Sequence, residues 1–181
     1  QWLDAQGQQS FGAMMLDMYP EGALGAQPYQ AGDNPFATLC WYDSGNYSVQ
    51  VQPRMRNLWI QGGVRAREFF AADPRRAPTL NKTPLVRWNR RYAYVNSTHA
   101  LLPRRLNVVY DTLGGEKPSG ILLHSKFLNI VVEKSREEKA RAEHFANSAL
   151  YDGYYDGLIA DPVLWCDSSR RYTGWRGLEA V

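Results

Sequence analysis

With 181 residues, 44% hydrophobic and 22% charged, the chain is long enough for one domain with its own core, which excludes a disordered or fibrous polymer. No apolar stretch approaches the roughly 20 residues that cross a bilayer, and the residues from Gln1 do not read as a secretory leader. The net charge of +3 conceals an asymmetry: Arg54 to Arg105 holds 12 Lys/Arg against Glu68 and Asp73, leaving nine bases and sixteen acids elsewhere. An anionic partner would be met by that basic middle, where the planar fork of arginine suits phosphate or carboxylate.

In chain order, QWLDAQGQQSF reads as the tail of a helix entered midway, and we expect the natural chain to extend upstream. Phe11 to Tyr19 is apolar enough for a buried strand ended by Pro20, interrupted by one acid, Asp17. A buried carboxylate needs a reason. Glu21 to Asn46 reads as a long loop holding one short aromatic strand, Leu39 to Tyr42, and such loops commonly bind or cover ligands. Asn57 to Val64 is a predicted strand ending at Gly62-Gly63, followed by a short helix through Glu68 to Phe70 that Pro74 stops.

Thr83 to Trp88 and Ser97 to Leu102 read as further strands, with Tyr92 and Tyr94 in the connection. Asp111 to Ser119 is a turn, Ile121 to Leu123 a buried strand end, and Lys126 to Ala146 the strongest helix, with an apolar stripe of Phe127, Ile130, Val131 and Val132. Tyr151 to Gly157 is aromatic and turn-rich, and Trp165 to Trp175 closes as aromatic packing before a short terminal helix.

Three groups of side chains bear chemistry. His99 and His124 are isolated histidines placed at predicted strand ends near Lys82 and Arg87, and imidazole either binds Mn²⁺-like ions or donates to a phosphate oxygen. His144, among helix charges, reads as a surface residue. Asp17 could be a general base whose pKa is raised by its apolar strand, or a buried anchor at the LDMYP corner; Asp33 and Asp43 are alternative bases. Trp41, Tyr42, Tyr47, Tyr154 and Tyr155 are candidates for exposed stacking platforms. Cys40 and Cys166 lack zinc spacing and read as buried free thiols of a reducing compartment. No phosphate-cradling G-x-x-x-x-G-K, no G-x-G-x-x-G and no G-x-S-x-G occurs.

The strings NKTPLVRWNRRYAYVNSTH, SGILLHSKFLNIVVEKSREEKARAEHF, YDGYYDGL and LWCDSSRRYTGW together resemble the C-terminal part of bacterial family 2-like glycosyltransferases with a GT-A fold, across nearly the whole chain. The resemblance implies a mixed α/β fold: a partial GT-A-like sheet with flanking helices, in one domain whose N-terminal nucleotide-binding half lies upstream. It implies transfer of a sugar from a nucleotide-sugar donor to a glycan or other hydroxyl acceptor, with inversion, in polysaccharide biosynthesis. A divalent cation, Mn²⁺ or Mg²⁺, is ordinarily held at an Asp-x-Asp motif. None occurs here, so the fragment alone should be inactive.

In this likeness His99 completes the metal site, Lys82, Arg87 and His124 hold the donor diphosphate, and Asp17 is the catalytic base. The expected location is cytoplasmic or membrane-peripheral, with no transmembrane segment and no nucleic-acid partner. The alternative is a non-catalytic carbohydrate-binding or interaction module for acidic glycans.

Overall fold

Short apolar runs separated by Gly, Pro and Asn can form only short elements, and the computed structural model is accordingly a mixed α/β arrangement of several small sheets. It describes residues 1–26, 28–110, 119–141, 151–179 and 181. The predicted turn at 111–118, the predicted helix end at 142–146 and His144 lie outside the described residues. The chain divides into two compact units, the first formed by Gln1–Met15, Tyr47–Gln61 and Pro78–Leu122, the second by Leu16–Asn46, Gly62–Ala77 and Leu123–Val181.

The first unit opens with helix α1 (Trp2–Ala5) and strand β1 (Ser10–Asp17). It continues through β3 (Tyr47–Gln52), β4 (Asn57–Gly62), β5 (Asn81–Val86), β6 (Ala93–Tyr94), β7 (Leu101–Leu102) and β8 (Ser119–His124). A three-stranded sheet runs in the order β5-β1-β8; β1 is antiparallel to β5, with Ser10 opposite Val86 and Met14 opposite Asn81. The sheet is mixed, so β1 and β8 run parallel.

Ala13, Leu58, Ile60, Leu80, Leu101, Leu106 and Val109 are buried in this unit. Two of its polar side chains, Asn107 and Tyr110, tie its loops to its strands. Asn107 donates Nδ2 to the carbonyls of Met55 and Leu101 at 2.8 and 3.0 Å and accepts the Leu101 N–H at 2.7 Å. The Tyr110 hydroxyl, its pKa pushed up to about 12 by burial, ties the carbonyls of Ala13 and Lys82 at 2.7 and 2.9 Å.

The second unit receives the last two residues of β1 and of β8 and adds α2 (Pro35–Thr38), β2 (Trp41–Asp43), α3 (Ile130–Arg141), α4 (Asp152–Ile159) and β9 (Ser169–Arg171). Tyr19, Leu24, Val64, Phe127, Val131, Val132, Tyr154, Leu158 and Leu164 form its apolar core. Phe69 meets Tyr154 edge-on at 5.0 Å and stacks on Phe127 at 6.2 Å. Aromatic pairs of this kind add roughly 0.5–1.5 kcal/mol beyond their buried area.

Beside this core, β2 pairs with β9, Asp43 opposite Ser169. The Asp43 carboxylate accepts the Tyr19 hydroxyl and a two-pronged contact from Arg67 at 3.0 and 3.2 Å. Asp43 is thus a structural anchor. Asp33 accepts the N–H of Gln30 at 3.1 Å within an exposed turn. Tyr19→Phe, which removes one donor from a buried carboxylate, is expected to cost about 1–3 kcal/mol, read as a lower urea midpoint with unchanged slope.

Several expectations need revision. β3 was hidden because its apolar partners are thin: YSVQVQ alternates, but Val49 and Val51 are exposed. The strand predicted at Ser97 to Leu102 shrinks to β7, and Tyr94 lies in β6 and not in a connector. Ile121 to Leu123 is not buried, and Leu122 is exposed. α3 begins at Ile130 because Lys126–Asn129 form a turn that drives Phe127 fully into the core. YDGYYDG is helical despite its glycines, since Tyr154 and Leu158, four apart, both bury. Tyr42 and Tyr154 are core residues, and among the described residues the exposed aromatics are instead Trp59, Trp88, Trp165 and Trp175. Cys40 and Cys166 are free and half-buried.

Candidate functional site

Parallel neighbours that end together bring their last residues side by side. Asp17 ends β1 and His124 ends β8, and the N–H of Met18 donates to the carbonyl of His124 at 3.0 Å. A third group comes from β4. Gly62 and Gly63 take φ of 143° and 61°, values that side chains resist, and so turn the chain into a π-helical turn, Arg65–Phe69. That turn buries Arg65 against Asp17.

The Asp17 Oδ1 accepts from the Arg65 guanidinium at 2.6 Å and from Nδ1 of His124 at 2.7 Å. Arg65 and His124 are themselves 2.9 Å apart, the third side of a triangle whose apex is the carboxylate. Burial alone would raise the pKa of Asp17, but the charge of Arg65, helped by His124, outweighs it and holds the carboxyl below its ordinary value. The raised pKa expected of a carboxyl in an apolar strand is therefore not found, because two donors meet it there, His124 from a strand end and Arg65 from the π-helical turn. Asp17 is ionised and 5% exposed, so it orients its neighbours and does not itself meet solvent.

In the tautomer whose Nδ1 donates to Asp17, Nε2 of the imidazole carries a lone pair. The ring is about one-third exposed and lines a cleft of about 410 Å³ with Lys126, Lys134, Glu138, Ile130 and Tyr155. Lys126 lies over the Tyr154 ring, 5.3 Å from its centre. Partial burial and the nearby charge of Arg65 push its ammonium down to about 8, while Asp17 and Glu138 oppose the shift. An imidazole nitrogen beside a cation is equipped to take a proton from a hydroxyl and to neutralise a phosphate or carboxylate.

The other predicted residues lie in the first unit. Lys82 Nζ sits 3.0 Å from Nε2 of His99, whose Nδ1 is 2.7 Å from the carbonyl of Asn81. His99 occupies a turn before β7 and not a strand end. An ammonium against one ring nitrogen and a carbonyl against the other do not suit a cation, so His99 is not arranged as a metal ligand. Among the described residues no group of three or more His, Cys, Asp and Glu is placed to hold a metal ion. Arg87 is exposed at the end of β5, its guanidinium 4.0 Å from Asp4 on α1. The structure thus joins Lys82 with His99 and Asp17 with His124, and directs Arg87 to the N-terminal helix.

Arg65 and Lys126 were missed by the sequence reading. The Gly-Gly pair before Arg65, and the placement of Lys126 two residues beyond a strand-end histidine, were the available signals. No protein-family model, no curated protein and no solved structure matches this chain. No described helix is long and apolar enough to cross a membrane.

Proposed function

We propose that this chain is the acceptor-side portion of a glycosyltransferase of GT-A type, which moves a sugar from a nucleotide-sugar donor to a hydroxyl with inversion. The observation that carries the reading is the strand-end pair Asp17–His124, whose ring opens on a cleft that also holds Lys126. In the proposed step the acceptor hydroxyl gives its proton to Nε2 of His124 as its oxygen bonds to the sugar carbon. The bond to the diphosphate breaks, and Lys126 offsets the charge of the departing group. Asp17 holds the imidazole in the required tautomer. Members of this class employ Mn²⁺ or Mg²⁺; the described residues offer no ligand set for it, and the roles assigned here belong to this chain's own side chains.

The test is turnover of nucleotide sugars by the protein that carries this chain. Because the Lys126 ammonium titrates at about 8, apparent affinity for the donor should fall as pH rises through that value. Lys126→Arg, whose guanidinium stays charged, should flatten that fall. A pH profile that is the same in both proteins removes Lys126 from the site. Binding of an acidic polysaccharide with no nucleotide turnover in any donor would instead assign a non-catalytic glycan-binding module.

A further inference from the structure

We propose that β3 pairs with β3 of a second copy of this chain, antiparallel about a two-fold axis at Gln50. The turn at 53–56 is too short for anything but an antiparallel hairpin of β3 with β4, and among the described residues no strand pairs with the other side of β3. Such an edge presents a row of backbone donors and acceptors, which proteins ordinarily blunt with lysine, proline or an inward-pointing charge. In a chain that is 22% charged, β3 (Tyr47–Gln52) contains no charge and no proline.

Alternation puts Val49 and Val51 on one face of β3, where they are 58% and 64% exposed. On that face Val51 lines a groove of about 260 Å³ with Leu58 of β4, Val108 and Tyr110. Ser48, Gln50 and Gln52 take the other face, and Nε2 of Gln50 lies 3.5 Å from Oε1 of Gln61. An incoming strand must therefore offer two apolar residues on the groove side with uncharged polar residues between them. That is the pattern of β3 itself. With Gln50 opposite Gln50 of the second copy, Val49 of each copy faces Val51 of the other, and Ser48 faces Gln52. Only this register sets both valines of each copy against valine, and a slip of one residue would turn them to opposite faces.

Charge also selects a second copy. A two-fold pairing sets like against like near its axis, and along the chain the nearest charge to Gln50 is Arg54. In this register Arg54 of each copy lies opposite Asn46 of the other, so the two arginines stand about 26 Å apart at roughly 3.3 Å per residue. Salt at about 0.1 M screens charges beyond roughly 10 Å. A strand bearing acids would be drawn to Arg54 and Arg56 at one end, yet along β3 it would set its own charges against valine or amide. One strand from each copy is a small contact, so the dimer is weak and forms reversibly.

Sedimentation equilibrium of the full chain, from about 10 μM to about 1 mM, tests the proposal, and the parent should pass from monomer to dimer across that range. Val49→Lys and Val51→Glu should each raise the dissociation constant by about tenfold or more, because each sets two like charges close to the axis on a strand edge. Mixed in equal amounts, the two variants should associate more tightly than either alone, since position 49 of one faces position 51 of the other. Both valines are exposed, so melting temperatures near that of the parent are expected and show that the variants still fold. A parent that stays monomeric throughout leaves the edge to a strand of another protein and overturns the proposal. So does a dimer untouched by Val49→Lys, or a mixture no tighter than the separate variants.

Discussion

Asp17→Asn is expected to lower the stability of the protein by about 3–5 kcal/mol, the largest effect we foresee from one substitution. The change keeps the shape of the side chain and removes its charge, leaving the Arg65 guanidinium, only 4% exposed, without a counterion. Water cannot reach it to compensate. Urea denaturation measures the loss, and Arg65→Met added to Asp17→Asn should restore a large part of it, because two charges are then removed together. If the double variant is as unstable as the sum of the two single ones, the ion pair is not the source of the effect.

The same pair gives a pH dependence with a definite sign. The Asp17 carboxyl has an unfolded value near 3.8 and a folded value below it, so its contribution is fully present above 3.8. It disappears as pH falls from there through the folded value, where protonation favours the unfolded chain. Acid titration of stability should therefore show a loss in this window in the parent, and a smaller one in Asp17→Asn.

How much of this was legible in the sequence follows from what each residue depends on. The buried strand through Asp17 and the Gly62-Gly63 break were readable, because burial and backbone freedom leave local signatures. So was His124 at a strand end. That Asp17 and His124 touch, 107 residues apart, depends on which strands pair, and the apolar pattern of β8 is compatible with several neighbours. The same limit hid the role of Arg65, which was one of twelve bases in a run and is distinguished only by what its turn buries. Lys82 and His99 were correctly set near each other, yet their direct contact makes them satisfy one another. Spacing conveys proximity; it does not convey which lone pairs remain open.

His124→Ala should keep the protein folded at a cost of about 1–3 kcal/mol for the donor taken from the buried Asp17 carboxylate, since the ring is about one-third exposed and its backbone bond to Met18 survives, while the proposed sugar transfer drops by about 10²–10⁴-fold. The loss should lie in kcat more than in donor affinity, because in the proposed step the removed group acts on the acceptor proton and Lys126 is left to offset the donor charge. Imidazole added to the variant should restore part of the rate, as a small base can occupy the vacated part of the cleft. A purely structural histidine would not respond to imidazole in this way. Asp17→Asn should reduce the rate as well, since an amide no longer enforces a proton on Nδ1 and a lone pair on Nε2. Undiminished transfer by His124→Ala would remove the imidazole from the chemistry and leave the cleft as a binding surface only. A variant that loses activity and fails to regain any with imidazole, while folded at the assay temperature, would assign His124 to holding the donor.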